Sequence, residues 1–412
     1  MDMGKRQKRK NAKAIKLSPA EQAGDYEVVH IGVLDGIRAV AILIVAWYHF
    51  WQQSWLAPVV GDFSLDWLVR NGSILVDLMI LLSGFCLFLP YARDMVYGDR
   101  TDTPGEFYTK RVARIAPSYY VSILIVLVCF ALPLGEYGED TGFLAKDLLT
   151  HMTYIHNLFS DVIAGTHLNG VLWTVGVEVQ LYLIFPLLAK WFRRWPIQTY
   201  LGMLAVGLSA TWLLSSHYNE NTHVLFVNHT VTFITVYANG MLGAWLYMRY
   251  TKWRKEKTLA EGIVATAAAV GSIVLFRQLC EWRMTSDSET KWQVDNRFLL
   301  SLVFLMFILG TILAVKWFRK IWDNRVMAFL AVISFNFYIC HQYIAVKLKE
   351  FRIPDWEGEE LPNMTGDVQW QWGYMLLCVV LAFAVAVAMT YLVERPAAKV
   401  IQNLYKKRRA KQ

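Results

Sequence analysis

Ten stretches of this chain are long and apolar enough to cross a lipid bilayer as helices, and that feature decides most of what it can fold into. They lie near 33–52, 72–91, 115–134, 171–191, 198–214, 231–248, 259–277, 297–316, 327–346 and 372–393. A helix needs about 20 apolar residues to cross about 30 Å of hydrocarbon. Within hydrocarbon only helices and closed barrels satisfy every backbone N–H and C=O. The blocks are continuous rather than alternating, so the expectation is an all-α, polytopic transmembrane helical bundle of about ten transmembrane helices. Charge is correspondingly scarce: 18% of the residues are charged and 56% hydrophobic, against about 25% charged in a soluble domain.

The basic residues give the expected orientation. With the N-terminus inside, the inner segments 1–30, 92–114, 189–197, 249–258, 316–325 and 395–412 hold 31 of the 41 Lys and Arg, and the outer segments hold nine. This repeated positive-inside asymmetry places both N- and C-termini in the cytoplasm of a multi-pass cell-membrane protein. The net charge of +8 then reports topology, and the scattering of its cations over short loops argues against a nucleic-acid partner. The organisation reads as a basic cytoplasmic segment at 1–30, one transmembrane domain at 31–397 and a basic cytoplasmic tail at 398–412. The first apolar block is too long for a signal peptide and lacks a small-residue cleavage site, so it is expected to stay attached. Cys86, Cys129, Cys280, Cys340 and Cys378 show no paired spacing, so neither a disulfide framework nor a metal site is expected.

Ionisable residues within membrane helices are costly and are candidates for function by default. Counted by depth, His49 in the first block, Asp77 in the second, Glu178 in the fourth and His341 in the ninth fall in one layer near the outer surface. At the inner side stand Arg38, Arg111 and Arg114. The last two, in "FYTKRVARIAPSYY", share a helix face at i,i+3. With Pro117 read as a first-turn residue, they would also meet the N–H groups of a helix start, a plausible phosphate site. Arg38 and His49 are eleven residues apart, three turns plus about 20°, so one face of the first helix carries both, about 16 Å apart. Asp35 reads as the cap of that helix, and Ser83 and Gly84 as a close helix contact.

The stretches "LDGIRAVAILIVAWYH", "VDLMILLSGF", "FYTKRVARIAPSYY", "LWTVGVEVQLYLIFP", "ISFNFYICHQ" and "LVERP" together resemble the membrane acyltransferase-3 family, in the family's order and over about 31–397. The resemblance implies an integral membrane O-acyltransferase of cell-surface glycans and related acceptors. It matches Arg38 and His49 to the family's arginine–histidine pair, and Arg111 and Arg114 to its paired arginines. The family's W-S-L-S-x-E stretch corresponds to "WTVGVE", which keeps Trp173 and Glu178 but has Thr174 and Gly176 where the family has serines. Some members add an extracytoplasmic hydrolase-like domain. With the sequence ending at Gln412, that domain is expected to be absent, and a second transfer step would use a separate extracytoplasmic transferase partner.

The implied reaction is O-acetylation or a related acylation: transfer from cytoplasmic acyl-CoA, by family frequency acetyl-CoA, to a hydroxyl of an extracytoplasmic carbohydrate acceptor. No permanently bound cofactor is expected beyond this donor. Arg38, Arg111 and Arg114 would hold its phosphates, and His49 would act as base or carry the acyl group itself. Glu178 or Asp77 would orient the imidazole, with His341 as the other candidate base. The rival class is a transporter or an exporter of glycan or lipid without acyl chemistry. Repeated halves, common in carriers, are not visible in the sequence.

Overall fold

The computed structural model describes residues 30–61, 63–219, 223–254 and 257–410. The expected cytoplasmic segment at 1–30 lies, but for His30, outside the described residues. Gly32–Gln412 form one compact unit.

Twelve helices organise it: α1 Gly32–Ser54, α2 Leu75–Tyr97, α3 Pro104–Val126, α4 Thr141–Met152, α5 Trp173–Arg194, α6 Pro196–Ser216, α7 Ile234–Trp253, α8 Leu259–Met284, α9 Arg297–Leu313, α10 Arg325–Glu350, α11 Val368–Met389 and α12 Arg395–Arg409. The one strand pairing among the described residues joins Val59–Val60 to Phe63–Ser64. All ten apolar blocks are helical, yet among the described residues eight helices are long and apolar enough to cross a membrane, or nine when α9 is taken with Glu289–Asp295, bent from it by 66°. This is a multi-pass membrane protein. The block at 231–248 belongs to neither count. Its helix, α7, buries Thr235, Tyr237 and Asn239 and packs most heavily of all pairs against α2. Its polar groups therefore face protein, where an apolar surface is not needed.

α2 is buried over 83% of its apolar length and α6 over 11%, so α2 is the axis of the bundle and α6 meets lipid. Small residues set the approach of α7 to α2: a Cβ at Gly240 would lie 2.2 Å from the Leu81 carbonyl oxygen, and one at Gly84 2.6 Å from that of Tyr237. Gly84 thus has the close-contact role expected of it. Gly36 serves α1 in the same way against the Trp322 carbonyl. Asp35 is a first-turn residue of α1 rather than its cap, and it pairs with Arg38 at 3.8 Å.

α3 starts well before its apolar block. Thr103 and Glu106 form a reciprocal capping box around Pro104 at the first helical position, and Pro117 lies inside the helix. Arg111 and Arg114 are therefore two or more turns into α3, away from its free N–H groups, contrary to the reading of Pro117 as a helix start. The basic tail is also helical: α12 follows a π-helical turn at Thr390–Glu394 and packs on α3.

Candidate active site

One cavity, of about 850 Å³ counting its open mouth, lies between α1, α2, α3, α5 and α10; Arg38, Arg111, Arg114 and Glu178 all line it. Arg38 donates to Cys86 Sγ at 3.5 Å. The Arg111 guanidinium lies 5.8 Å from the Phe107 ring and 5.9 Å from that of Tyr182, and its Nε is buried with no hydrogen-bond partner. Glu178 accepts a hydrogen bond from Ser83 Oγ at 3.2 Å and another from the Tyr182 hydroxyl. Three guanidiniums thus share a largely enclosed space with one carboxylate. An orphaned donor in a cationic cavity favours an anionic occupant.

The histidines sit elsewhere. His49 and His341 bring their ring centroids to 5.1 Å. His49 Nδ1 bonds to Gln52 Oε1 at 2.9 Å, and the Gln52 amide donates to Tyr48 Oη at 2.9 Å. His341 Nδ1 lies 2.6 Å from the Tyr338 carbonyl oxygen. A carbonyl oxygen only accepts, so this network assigns the proton to Nδ1 in both rings and leaves each Nε2 with a lone pair. His341 is fully buried, and its Nε2 has no partner.

The single outer layer expected from depth is therefore resolved into separate places. Glu178 belongs with the arginines. Asp77 is fully buried against Arg297, Oδ1 to Nε 3.0 Å, and neither carboxylate orients His49; the Gln52 amide and the Tyr338 carbonyl hold the two rings instead. A depth count fixes a side chain's height along a helix but not the direction in which it points.

Thr174 and Tyr338 stand between the two ends. Their hydroxyls are 2.9 Å apart, both side chains line the arginine cavity, and Tyr338 is one turn before His341. Along "WTVGVE", Thr174 thus retains a hydroxyl with a definite partner. Gly176 is tightly packed: a Cβ there would lie 3.0 Å from Asn157 Oδ1 and 3.2 Å from both the His156 ring and the Tyr154 carbonyl oxygen, so a larger side chain needs its neighbours to shift.

Tyr182, Gln52, Tyr338 and Arg297 escaped the sequence reading, and Ser83 entered it only as a close helix contact. Arg297 carried a signal, a cation at the first residue of an apolar block; the hydroxyls and the amide carried none.

A family model described as an acyltransferase domain matches residues 31–391. Among curated relatives, a Staphylococcus aureus (strain COL) protein named "Putative O-acetyltransferase" is 23% identical over 76% of this chain and 50% of its own length. "Nodulation protein 10" of Rhizobium leguminosarum bv. viciae is 27% identical over 56% of this chain and 64% of its own. "Acyltransferase MdmB" of Streptomyces mycarofaciens is 32% identical over 44% of this chain and 45% of its own. The chain spans about half the length of the S. aureus relatives it matches. No solved structure matches it.

Proposed function

The chain belongs to the acyltransferase-3 family, and from that premise we propose that it moves an acyl group, acetyl by preference, from cytoplasmic acyl-CoA to a hydroxyl of an extracytoplasmic carbohydrate acceptor. Both termini lie in the cytoplasm in this reading, as the basic loops indicate. The observation that carries it is the two-ended polar interior along one face of α1. Arg38, Arg111 and Arg114 share a cavity at one end, and two imidazoles meet at the other, His341 with an unpartnered Nε2. The distance between Arg38 and His49, about 16 Å along the helix, suits a donor whose charged and reactive ends are far apart.

Arg111 and Arg114, with Arg38, hold donor phosphates as charge-assisted, bidentate partners. Glu178, held by Ser83 and Tyr182, is the one carboxylate in that cavity and offsets part of the mutual repulsion of the three guanidiniums. At the other end His49 Nε2 takes the acceptor hydroxyl's proton as its oxygen attacks the thioester carbonyl. The C–O bond forms, the C–S bond breaks, and the imidazolium returns the proton to the leaving thiolate. His341 supports His49 or exchanges roles with it. In the alternative route His49 Nε2 attacks the thioester carbonyl, the C–S bond breaks and the CoA thiolate leaves; the acceptor oxygen then takes the acyl group as the N–C bond breaks, and its proton passes to the thiolate by way of His341 Nε2. Asp77 has no chemical role in either route; it neutralises Arg297.

The test is purified protein in detergent with radiolabelled acetyl-CoA, following binding and free-thiol release. His49→Ala is expected to keep binding while release falls by about 10²–10⁴-fold; Arg111→Ala with Arg114→Ala is expected to lose binding. Wild-type protein that neither binds nor cleaves any acyl-CoA would overturn the reading in favour of an exporter. Release unchanged in His49→Ala would remove the base role from that residue.

A further inference from the structure

The arginine cavity is not closed at its basic end. Arg111 and Arg114 also line a second, wider space of about 1290 Å³, bounded on one side by α3 and on the other by α12. Its other walls include Lys110, Tyr405, Lys406 and Arg409, with Asp102, Glu106 and Glu394 as the acidic members. Five cations face three carboxylates around one mouth, which leaves it net positive. We propose that this vestibule is the binding site for the 3′-phosphorylated adenosine diphosphate end of the acyl-CoA donor, with Lys406 and Arg409 of α12 reading the 3′-phosphate. The inference rests on the donor reading above and extends it to residues outside the arginine cavity.

Three observations carry it. First, the two spaces meet at Arg111 and Arg114, and their shapes suit the two parts of a CoA thioester. The wide cationic mouth fits the nucleotide head; the narrower inner cavity, with Ile42, Val76 and Ile80 among its walls, fits the uncharged pantetheine arm. Arg111 and Arg114 at the junction then meet the diphosphate that links those parts.

Second, the vestibule cations are held loosely. Lys110 Nζ lies 2.6 and 2.7 Å from the Asp102 carboxylate oxygens, and Arg409 pairs with Glu106. The Lys110 and Arg409 side chains are 42% and 50% exposed. Exposed pairs contribute about 0–1 kcal/mol, so a phosphate can exchange with the carboxylates at little cost.

Third, an aromatic ring is set into the wall. A Cβ at Gly105 would lie 2.8 Å from Tyr405 Oη. The glycine at the start of α3 therefore lets Tyr405 of α12 lie directly against that helix while lining the vestibule. Aromatic stacking on a base is tolerant of sequence and worth about 1–3 kcal/mol. Such a platform suits adenine.

The test compares acetyl-CoA, 3′-dephospho-acetyl-CoA and acetyl-pantetheine as donors for the full-length protein, wild type against Lys406→Ala/Arg409→Ala. Lys399→Ala, on the same helix but outside the vestibule wall, is the control. Wild type is expected to prefer acetyl-CoA over the dephospho donor by about tenfold or more in kcat/KM. The double variant is expected to erase that preference through KM, and the control to preserve it. A KM rise of equal size for all three donors, present only in vesicles containing anionic lipid, would assign the two cations to lipid headgroup phosphates and overturn the proposal. An unchanged donor preference would overturn it too. Wild-type protein inert toward all three thioesters would instead defeat the donor reading, and this proposal with it.

Discussion

The Asp77–Arg297 pair offers the sharpest quantitative test of how the bundle is held together. Both side chains are essentially inaccessible, 0% and 1% exposed. Arg297 spans the site: it meets Asp77 at 3.0 Å, the Thr232 hydroxyl and the Val227 carbonyl oxygen at 3.2 Å, and lies 3.8 Å from the Phe233 ring centroid. At a charge separation of about 4 Å and an effective dielectric of about 20, the attraction is about 4 kcal/mol. Most of it is offset by lost hydration while the pair is intact. Removing one partner leaves the other charge buried and unmatched, which costs about 3–5 kcal/mol, against a total stability of about 5–15 kcal/mol. Asp77→Ala and Arg297→Met should each lower the melting temperature markedly. The double variant Asp77→Leu/Arg297→Met should recover most of the loss, because replacing both charges with apolar groups is often neutral. The assay is thermal unfolding in detergent, followed by reaction of the buried Cys280 and Cys378 thiols with a thiol-sensitive dye. The single variants, folded at low temperature, should still cleave the donor thioester. A coupling energy below about 1 kcal/mol in the double-mutant cycle would refute the buried-pair argument. Asp77→Asn that melts like wild type yet fails in acyl transfer would place Asp77 in the chemistry.

Two further outcomes follow from packing and protonation. Gly240→Ala would set its Cβ 2.2 Å from the Leu81 carbonyl oxygen and 2.8 Å from Phe85 N; backbone atoms cannot yield, so loss of folded protein on size-exclusion chromatography is expected. Gly271→Ala in α8, with nothing within 4 Å of its Cβ, should instead be neutral or raise stability by up to about 1 kcal/mol. Outside the membrane-spanning helices, His151 and His156 stack with centroids 3.9 Å apart, and burial together with His151 pushes His156 down to about 3. An unfolded imidazole takes up its proton near pH 6.5. This contribution is therefore complete above about pH 6.5 and falls as pH drops below it, by about 1.4 kcal/mol per unit. Hydrogen exchange over residues 141–158, corrected for intrinsic rates, should show lower protection at pH 5 than at pH 7.5, and equal protection would refute the argument.

The membrane architecture was legible because a run of about twenty apolar residues has few alternatives to a buried helix. The start of α3 was equally legible in principle: Thr103, Pro104 and Glu106 spell a capping box, which lies about eleven residues before the apolar block opens at 115. The cationic cluster was visible as Arg38, Arg111 and Arg114, since guanidiniums at that depth need a reason. What the sequence withheld was azimuth. Glu178 and His341 sit at countable depths, yet rotation about α5 sends Glu178 toward Ser83 and the arginines. Rotation about α10 sends His341 toward His49. The partner of Asp77 was hidden differently. By charge count Arg297 is one of the nine outer cations, whereas in the structure it follows the 66° bend before α9 and is buried against Asp77.

The Thr174–Tyr338 contact has a consequence for passage through the bundle. It stands between the arginine cavity and the imidazole pair. A donor arm that runs from Arg111 toward His49, as proposed above, has to pass these two hydroxyls or part them. Parting one neutral hydrogen bond costs only about 0.5–1.5 kcal/mol. The pair can therefore narrow the route between the two ends and still yield to a ligand that bridges them.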